Sequence, residues 1–109
     1  MSVCRKIGIM GGTFNPVHIG HLFVAEAARE AFSLEQVIFI PTGDPPHKEP
    51  SQLASGRDRI RMLQLAVRDN PLFQVNEMEI TREGTTYTID TLIEWKAAHP
   101  KDQVFFIIG

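Results

Sequence analysis

An α/β fold with a doubly wound parallel sheet is what three features of the sequence predict. Short, almost wholly apolar runs recur along the chain, at Lys6 to Met10, Gln36 to Pro41 and Gln103 to Ile108. Stretches with helical spacing of apolar residues separate them, and turns rich in glycine and proline stand where the two kinds of segment meet. A strand buried on both faces reads as a continuous apolar run, so the runs point to parallel strands covered by helices on either side.

In the first run, Ile7 and Ile9 point one way, and the pair Gly11-Gly12 ends the strand. Lacking side chains, these glycines let the backbone approach a ligand closely. Pro16 suits the turn into a helix that starts near Val17 or His18, because Leu22, Ala25, Arg29 and Phe32 fall at helical spacing. The first N–H groups of a helix have no partner inside it, so the glycine loop and the helix start form an anion site that the macrodipole reinforces. His18 and His21 are three apart and share one helix face. Two imidazoles there can donate hydrogen bonds to phosphate oxygens and, if protonated, offset charge that develops during phosphoryl or nucleotidyl transfer. Neither the lysine of a Walker loop nor the spaced glycines of a dinucleotide fingerprint is present. Two other readings of the pair stay open: metal ligands, although no cysteine or carboxylate stands at ligand spacing, and surface or helix-capping histidines without chemistry.

The second strand, Gln36 to Pro41, leads into Thr42 to Gly56, where Pro45, Pro46 and Pro50 mark a long irregular loop of the kind that serves binding. Arg57 to Asp69 returns to helix, with Ile60, Leu63, Ala66 and Val67 as its apolar stripe and Arg57, Arg59, Arg61 and Arg68 as a solvated face. Phe73 to Ile80 reads as extended, with Phe73, Val75, Met78 and Ile80 inward, and Arg82 to Thr86 turns around Gly84. A third helix begins near Thr88, whose hydroxyl can cap free N–H groups, with Asp90 suited to the positive first turn. Ile89, Leu92, Ile93 and Ala97 form its expected inner face, and Pro100 marks its end. The last strand runs to Ile108 and stops at Gly109, leaving an apolar edge through which association into a homo-oligomer is expected.

Composition narrows the partners. With 109 residues the chain supports one domain at most, and 43% hydrophobic with 22% charged residues is ordinary for a soluble globular protein. A formal net charge of −2 argues against a nucleic-acid surface, which carries a strongly basic face. Small phosphorylated ligands need only local donors. Cys4 is the sole cysteine, no apolar stretch reaches bilayer length and no signal-peptide pattern opens the chain, so a reducing cytoplasm is the expected location.

In such a sheet, ligands bind beyond the carboxyl ends of the strands, where three loops converge. The first holds Gly11, Gly12, Thr13, His18 and His21; the second holds Thr42, His47 and Lys48, behind prolines that stiffen it. The third places Thr85, Thr86, Tyr87 and Thr88 at a helix start, offering hydroxyls, backbone N–H groups and one aromatic ring.

The segment Gly-Gly-Thr-Phe-Asn-Pro-Val-His-Ile-Gly-His, with Pro-Pro-His-Lys, Thr-Tyr-Thr-Ile-Asp-Thr-Leu and the closing Phe-Phe-Ile-Ile-Gly, resembles the bacterial nicotinate-nucleotide adenylyltransferases. These form a branch of the nucleotidyltransferase superfamily marked by (His/Thr)-x-Gly-His, here His18 to His21. The first segment points to the superfamily, which includes pantetheine-phosphate adenylyltransferases and cytidylyltransferases; the later ones point to the NAD branch. The resemblance implies a Rossmann-like domain that transfers AMP from ATP to nicotinate mononucleotide, with Mg2+ accompanying ATP and no metal held by protein ligands. It implies that His18 and His21 act on the triphosphate, with Gly20 between them, while Gly11, Gly12, Thr13 and Phe14 border the nucleotides. On the acceptor side it implies His47 and Lys48 near phosphates and Thr85, Thr86, Tyr87 and Thr88 near the nicotinate or ribose. At Thr42 many relatives carry asparagine. The resemblance further implies a longer protein: an acidic residue follows the position of Gly109 in the family, and a later Ile-Ser-Ser-Thr-x-x-Arg stretch grips ATP. The expectation is therefore a single domain over residues 1–109, C-terminally incomplete, with activity belonging to the full-length form. Adenylyl transfer to nicotinamide mononucleotide or phosphopantetheine, and a non-catalytic nucleotide-binding fragment, are the alternatives.

Overall fold

The computed structural model describes residues 4–43, 55–82 and 87–108. Its elements are β1 (Lys6–Gly12), α1 (Ile19–Phe32), β2 (Gln36–Pro41), α2 (Gly56–Val67), β3 (Phe73–Val75), α3 (Met78–Thr81), α4 (Thr88–Ala98) and β4 (Gln103–Ile107). The four strands form one parallel sheet in the order β3-β2-β1-β4. After β1 the chain winds outward through β2 and β3, then crosses back through α4 to place β4 on the other side of β1. The strand order therefore reverses beside β1, and ligands of open α/β sheets bind at such a point.

The two-residue period of the strands sorts the core into two layers. Met10, Val37, Phe39, Phe73 and Ile107 meet Ala25 of α1 and Leu63 and Val67 of α2 on one face. Ile7, Ile9, Ile38 and Ile40 meet Trp95 of α4 on the other, with Leu92 and Met78 packed against them. Helices thus cover both faces, as the doubly wound reading requires, and Ile7 and Ile9 do share a face.

Several local expectations are corrected. β1 takes in both Gly11 and Gly12 before it ends at Gly12, and the Thr42 N–H donates to the Gly12 carbonyl at 2.8 Å. The chain turns two residues later, at Phe14, which holds a positive φ of 49°. Phe73 to Ile80 is not continuously extended. Asn76 Oδ1 accepts the Met78 N–H at 2.9 Å, a turn that stops the strand and starts the short helix α3.

In α2, Ala66 is exposed, and Arg59 lies fully buried instead of on the solvated face. In α4, Tyr87 takes the N-cap position without a side-chain hydrogen bond, and Thr88 is the first helical residue, so its hydroxyl does not cap. Its inner face also differs: Thr91 and Trp95 are buried while Ile89, Ile93 and Ala97 are exposed. Polar anchors decide that rotation, since Trp95 Nε1 donates to Asp102 Oδ2 at 3.2 Å and Thr91 Oγ1 donates to Glu79 Oε2 at 2.6 Å.

Asp102 also joins the start of β1 to the start of β4, accepting from Arg5 Nε at 3.1 Å and Nη2 at 2.9 Å. Those hydrogen bonds from Arg5 hold its carboxyl below the usual aspartate range, against the opposing effect of burial. As pH falls, the unfolded chain protonates this group first, so its contribution to stability is full above about pH 4 and is lost below that. Thermal unfolding between about pH 2 and 5 is expected to depend less steeply on pH in Asp102→Asn than in the parent chain.

Candidate active site at the carboxyl edge of the sheet

β1 delivers Gly12 to the carboxyl edge, and six residues later His18 forms the N-cap of α1. Two reciprocal hydrogen bonds define this start. His18 Nδ1 accepts the Gly20 N–H at 3.1 Å, and His21 Nδ1 accepts the His18 N–H at 3.0 Å. The histidines thus do the work usually given to Ser and Glu in a capping box. A nitrogen that accepts an N–H carries no proton of its own, so in each neutral ring the proton sits on Nε2. The rings lie side by side, centroids 3.8 Å apart, and each presents a single N–H donor.

This geometry explains the residue between them. A Cβ on Gly20 would stand 2.9 Å from His18 Cε1 and 3.0 Å from its Nδ1, so a side chain there would push the ring off its cap. It also revises the expected anion site: the Gly20 N–H is spent on His18, and the Nε2–H groups take over as donors. Both histidines cap the helix through Nδ1, and neither Nε2 takes part in the cap. No acidic residue stands in the first turn of α1 to compete for its positive end.

His21 is held below the usual histidine pKa, by burial first and by the neighbouring His18 second. Phe14 supplies that burial. Its ring is 3% exposed, meets His21 edge-on at 5.0 Å and 75°, and rests on Phe39 at 5.7 Å and 64°. The Phe14 ring is thus a support beneath His21 within the core. A Cβ on Gly12 would come within 3.3 Å of the Phe14 ring and press on it.

Arg59, which the sequence places on a solvated face, turns inward to this edge. Its Nη1 donates to the Thr13 carbonyl at 2.9 Å and to the Thr42 carbonyl at 2.8 Å, joining the ends of the loops after β1 and β2. Within a helix holding three arginines and followed by a fourth at its C-cap, no spacing rule marks the one that turns inward.

Gly11, Gly12, Thr13, His18, Gly20, His21 and Thr42 therefore gather at one edge. Gly43 follows, pressed so closely on α3 that a Cβ would lie 2.6 Å from the Glu79 carbonyl oxygen. Tyr87 and Thr88, both exposed, begin α4, which runs from this end toward Asp102 on the opposite face. Arg82 holds that helix, donating to Thr91 Oγ1 at 3.2 Å and Glu94 Oε2 at 2.6 Å. His47, Lys48, Thr85 and Thr86 lie outside the described residues, as does Gly109. Among the described residues, no cluster of His, Cys, Asp and Glu could hold a metal ion, and no helix is long and apolar enough to cross a membrane.

A parallel sheet whose strand order reverses beside β1, covered by helices on both faces, defines an α/β protein of the doubly wound class. More particularly, the chain belongs to the cytidylyltransferase-like family, whose model matches residues 9–109. It is 51% identical over 105 residues to a protein of Desulfitobacterium hafniense named "Probable nicotinate-nucleotide adenylyltransferase", covering 96% of this chain and 51% of that protein. A protein of the same name from Lachnoclostridium phytofermentans is 51% identical over 105 residues, covering 96% and 52%. The chain spans about half the length of these curated relatives. Among solved structures, the Plasmodium falciparum nicotinic acid mononucleotide adenylyltransferase complexed with NaAD superposes with a TM-score of 0.78 at 20% identity, over 94% of this chain and 50% of that one. The same enzyme complexed with APC gives 0.76 at 19% identity, over 94% and 49%. At such identities the likeness concerns the fold, and it confirms the doubly wound architecture.

Proposed function

We propose that this chain carries the triphosphate-binding part of an adenylyltransferase that joins ATP and nicotinate mononucleotide into nicotinate adenine dinucleotide and pyrophosphate. The observation that carries this reading is the pair of Nε2–H donors that the capping box fixes at the sheet's carboxyl edge. Half-identity to the named relatives supports the choice of acceptor.

A phosphate oxygen of the mononucleotide attacks the α-phosphorus of ATP. A new P–O bond forms, the bond from that phosphorus to the bridging oxygen breaks, and pyrophosphate leaves with the electron pair. No protein nucleophile is required, so the protein's part is positioning and charge stabilisation. His18 and His21 donate to the triphosphate, and the backbone of Gly11 to Thr13 lies alongside. Thr42, Tyr87 and Thr88 serve the acceptor, together with His47, Lys48, Thr85 and Thr86 on the family's pattern. The two imidazole Nδ1 atoms are committed to backbone N–H groups, and hard cations prefer oxygen ligands, so Mg2+ fits this donor set only as an ion carried by the nucleotide phosphates.

Pyrophosphate release measured with nicotinate mononucleotide, nicotinamide mononucleotide and phosphopantetheine in competition tests the reading. The assay is run on this chain and in parallel on the Desulfitobacterium hafniense relative. Preference for nicotinate mononucleotide is the expected result in the relative, and in this chain where it turns over. Preference for another acceptor in this chain contradicts it, and ATP binding without turnover above a His18→Ala control favours a nucleotide-binding module. The cytoplasm, where ATP is supplied, is the proposed location, to be checked by cell fractionation. We propose also that β4, beside an apolar groove lined by Phe23, Phe32, Phe105 and Ile108, associates with a second copy. Sedimentation as a monomer at micromolar concentration contradicts that.

A further inference from the structure

We propose that Arg59 is a positioning residue that locks the loops after β1 and β2 into one unit, setting the distance at which two bound nucleotides meet. The inference rests on the adenylyl-transfer reading for its kinetic consequence, and on geometry alone for the lock.

One guanidinium nitrogen reaches both loops, at 2.9 Å to the Thr13 carbonyl and 2.8 Å to that of Thr42. These residues lie 46 and 17 positions from Arg59, so the contact joins segments far apart in the sequence. One residue back, the Thr42 N–H bond to the Gly12 carbonyl is the last rung between the strands. Beyond that rung the strands' own pairing ends, and Arg59 continues the connection from the side. The shared donor makes the two carbonyls move together.

The anchor is itself rigid. Ile60, Leu63 and Val67 bury α2 against the core, and Ser55 Oγ accepts the Asp58 N–H at 3.2 Å to fix the helix start. At Gly56 a Cβ would stand 2.8 Å from Ile80 Cγ2, so the first turn of α2 is pressed onto α3. Arginine suits the task because its long stem crosses the core edge and its fixed donor fork stays charged. The loops so joined are the ones carrying Thr13 beside the histidine pair and Thr42 on the acceptor side. When reacting atoms must lie close and in line, a displacement near 1 Å costs about 100-fold in rate. The lock therefore acts on the transfer step more than on the binding of either nucleotide.

Two readouts test this, one of them independent of catalysis. Hydrogen–deuterium exchange of the chain compares Arg59→Met, which keeps the stem and loses the donors, with Arg59→Lys, which returns one cationic donor. Peptides containing Thr13 and Thr42 are expected to exchange faster together in Arg59→Met and to an intermediate degree in Arg59→Lys, with β4 and α4 unchanged. Loss of protection in only one loop, or equal loss throughout the sheet, overturns the lock. Where turnover is measured, kcat is expected to fall about 100-fold in Arg59→Met with KM for each nucleotide little changed, and to recover in part in Arg59→Lys. A loss confined to KM overturns the kinetic role. Turnover that prefers an acceptor other than nicotinate mononucleotide counts against the adenylyl-transfer reading, while the exchange data still decide the lock.

Discussion

Alanine in place of His18 is expected to lower the rate of pyrophosphate release by about two to three orders of magnitude. Two losses contribute. The Nε2–H donor disappears from the place where triphosphate charge develops, and the N-cap acceptor for the Gly20 N–H goes with it. The second loss alone costs about 1 kcal/mol of stability. Asparagine separates them, because its side-chain oxygen caps a helix as well as His18 Nδ1 does but places no donor at the Nε2 position. His18→Asn is expected to match the parent in thermal unfolding and the alanine variant in turnover. Parent-like turnover in His18→Asn would reduce His18 to a helix cap. Acid adds a related sign: protonating His21 at Nδ1 sets N–H against the His18 N–H and breaks the capping box. Since the folded ring titrates below the free value of about 6.5, its contribution to stability is full above that pH and is lost as pH falls.

Phe14→Ala is expected to produce the largest loss of stability, about 3–5 kcal/mol, by leaving a cavity between His21 and Phe39. Against the 5–15 kcal/mol that holds a typical domain, that is a large fraction. Phe14→Leu restores most of the volume without the edge-on ring and is expected to regain more than half of the stability. Urea unfolding midpoints compare the three chains. If alanine shifts the midpoint by less than about 1 kcal/mol in equivalent stability, Phe14 is not the support that its burial indicates.

The sheet and its helices can be read from the sequence because the apolar runs of β1, β2 and β4 are continuous and their helices amphipathic. So can the position of His18 at the start of α1, since the spacing from Leu22 onward places that boundary within one residue. Other features depend on single tertiary contacts that leave no periodic trace. Asn76 ends β3 through its own side chain, Phe14 takes the positive φ that glycine would be expected to supply, and Arg59 turns inward from a helix that reads as solvated on its arginine side. In α4 the hydrophobic count favours Ile89 and Ile93, yet the indole of Trp95 and the hydroxyl of Thr91 set the rotation through Asp102 and Glu79. The histidines show a mixed case. Their three-residue spacing marks them as a pair, but only the structure shows that each uses Nδ1 for the helix and keeps Nε2 for a ligand.

That division of labour is most directly tested by 15N NMR of the imidazole nitrogens, recorded near pH 7.5 with and without ATP. The account predicts that both rings carry their proton on Nε2 in the free chain and that the Nε2 signals of both rings move on adding ATP while the Nδ1 signals stay. Protonated Nδ1 in either ring, or Nε2 signals indifferent to ATP, would contradict it.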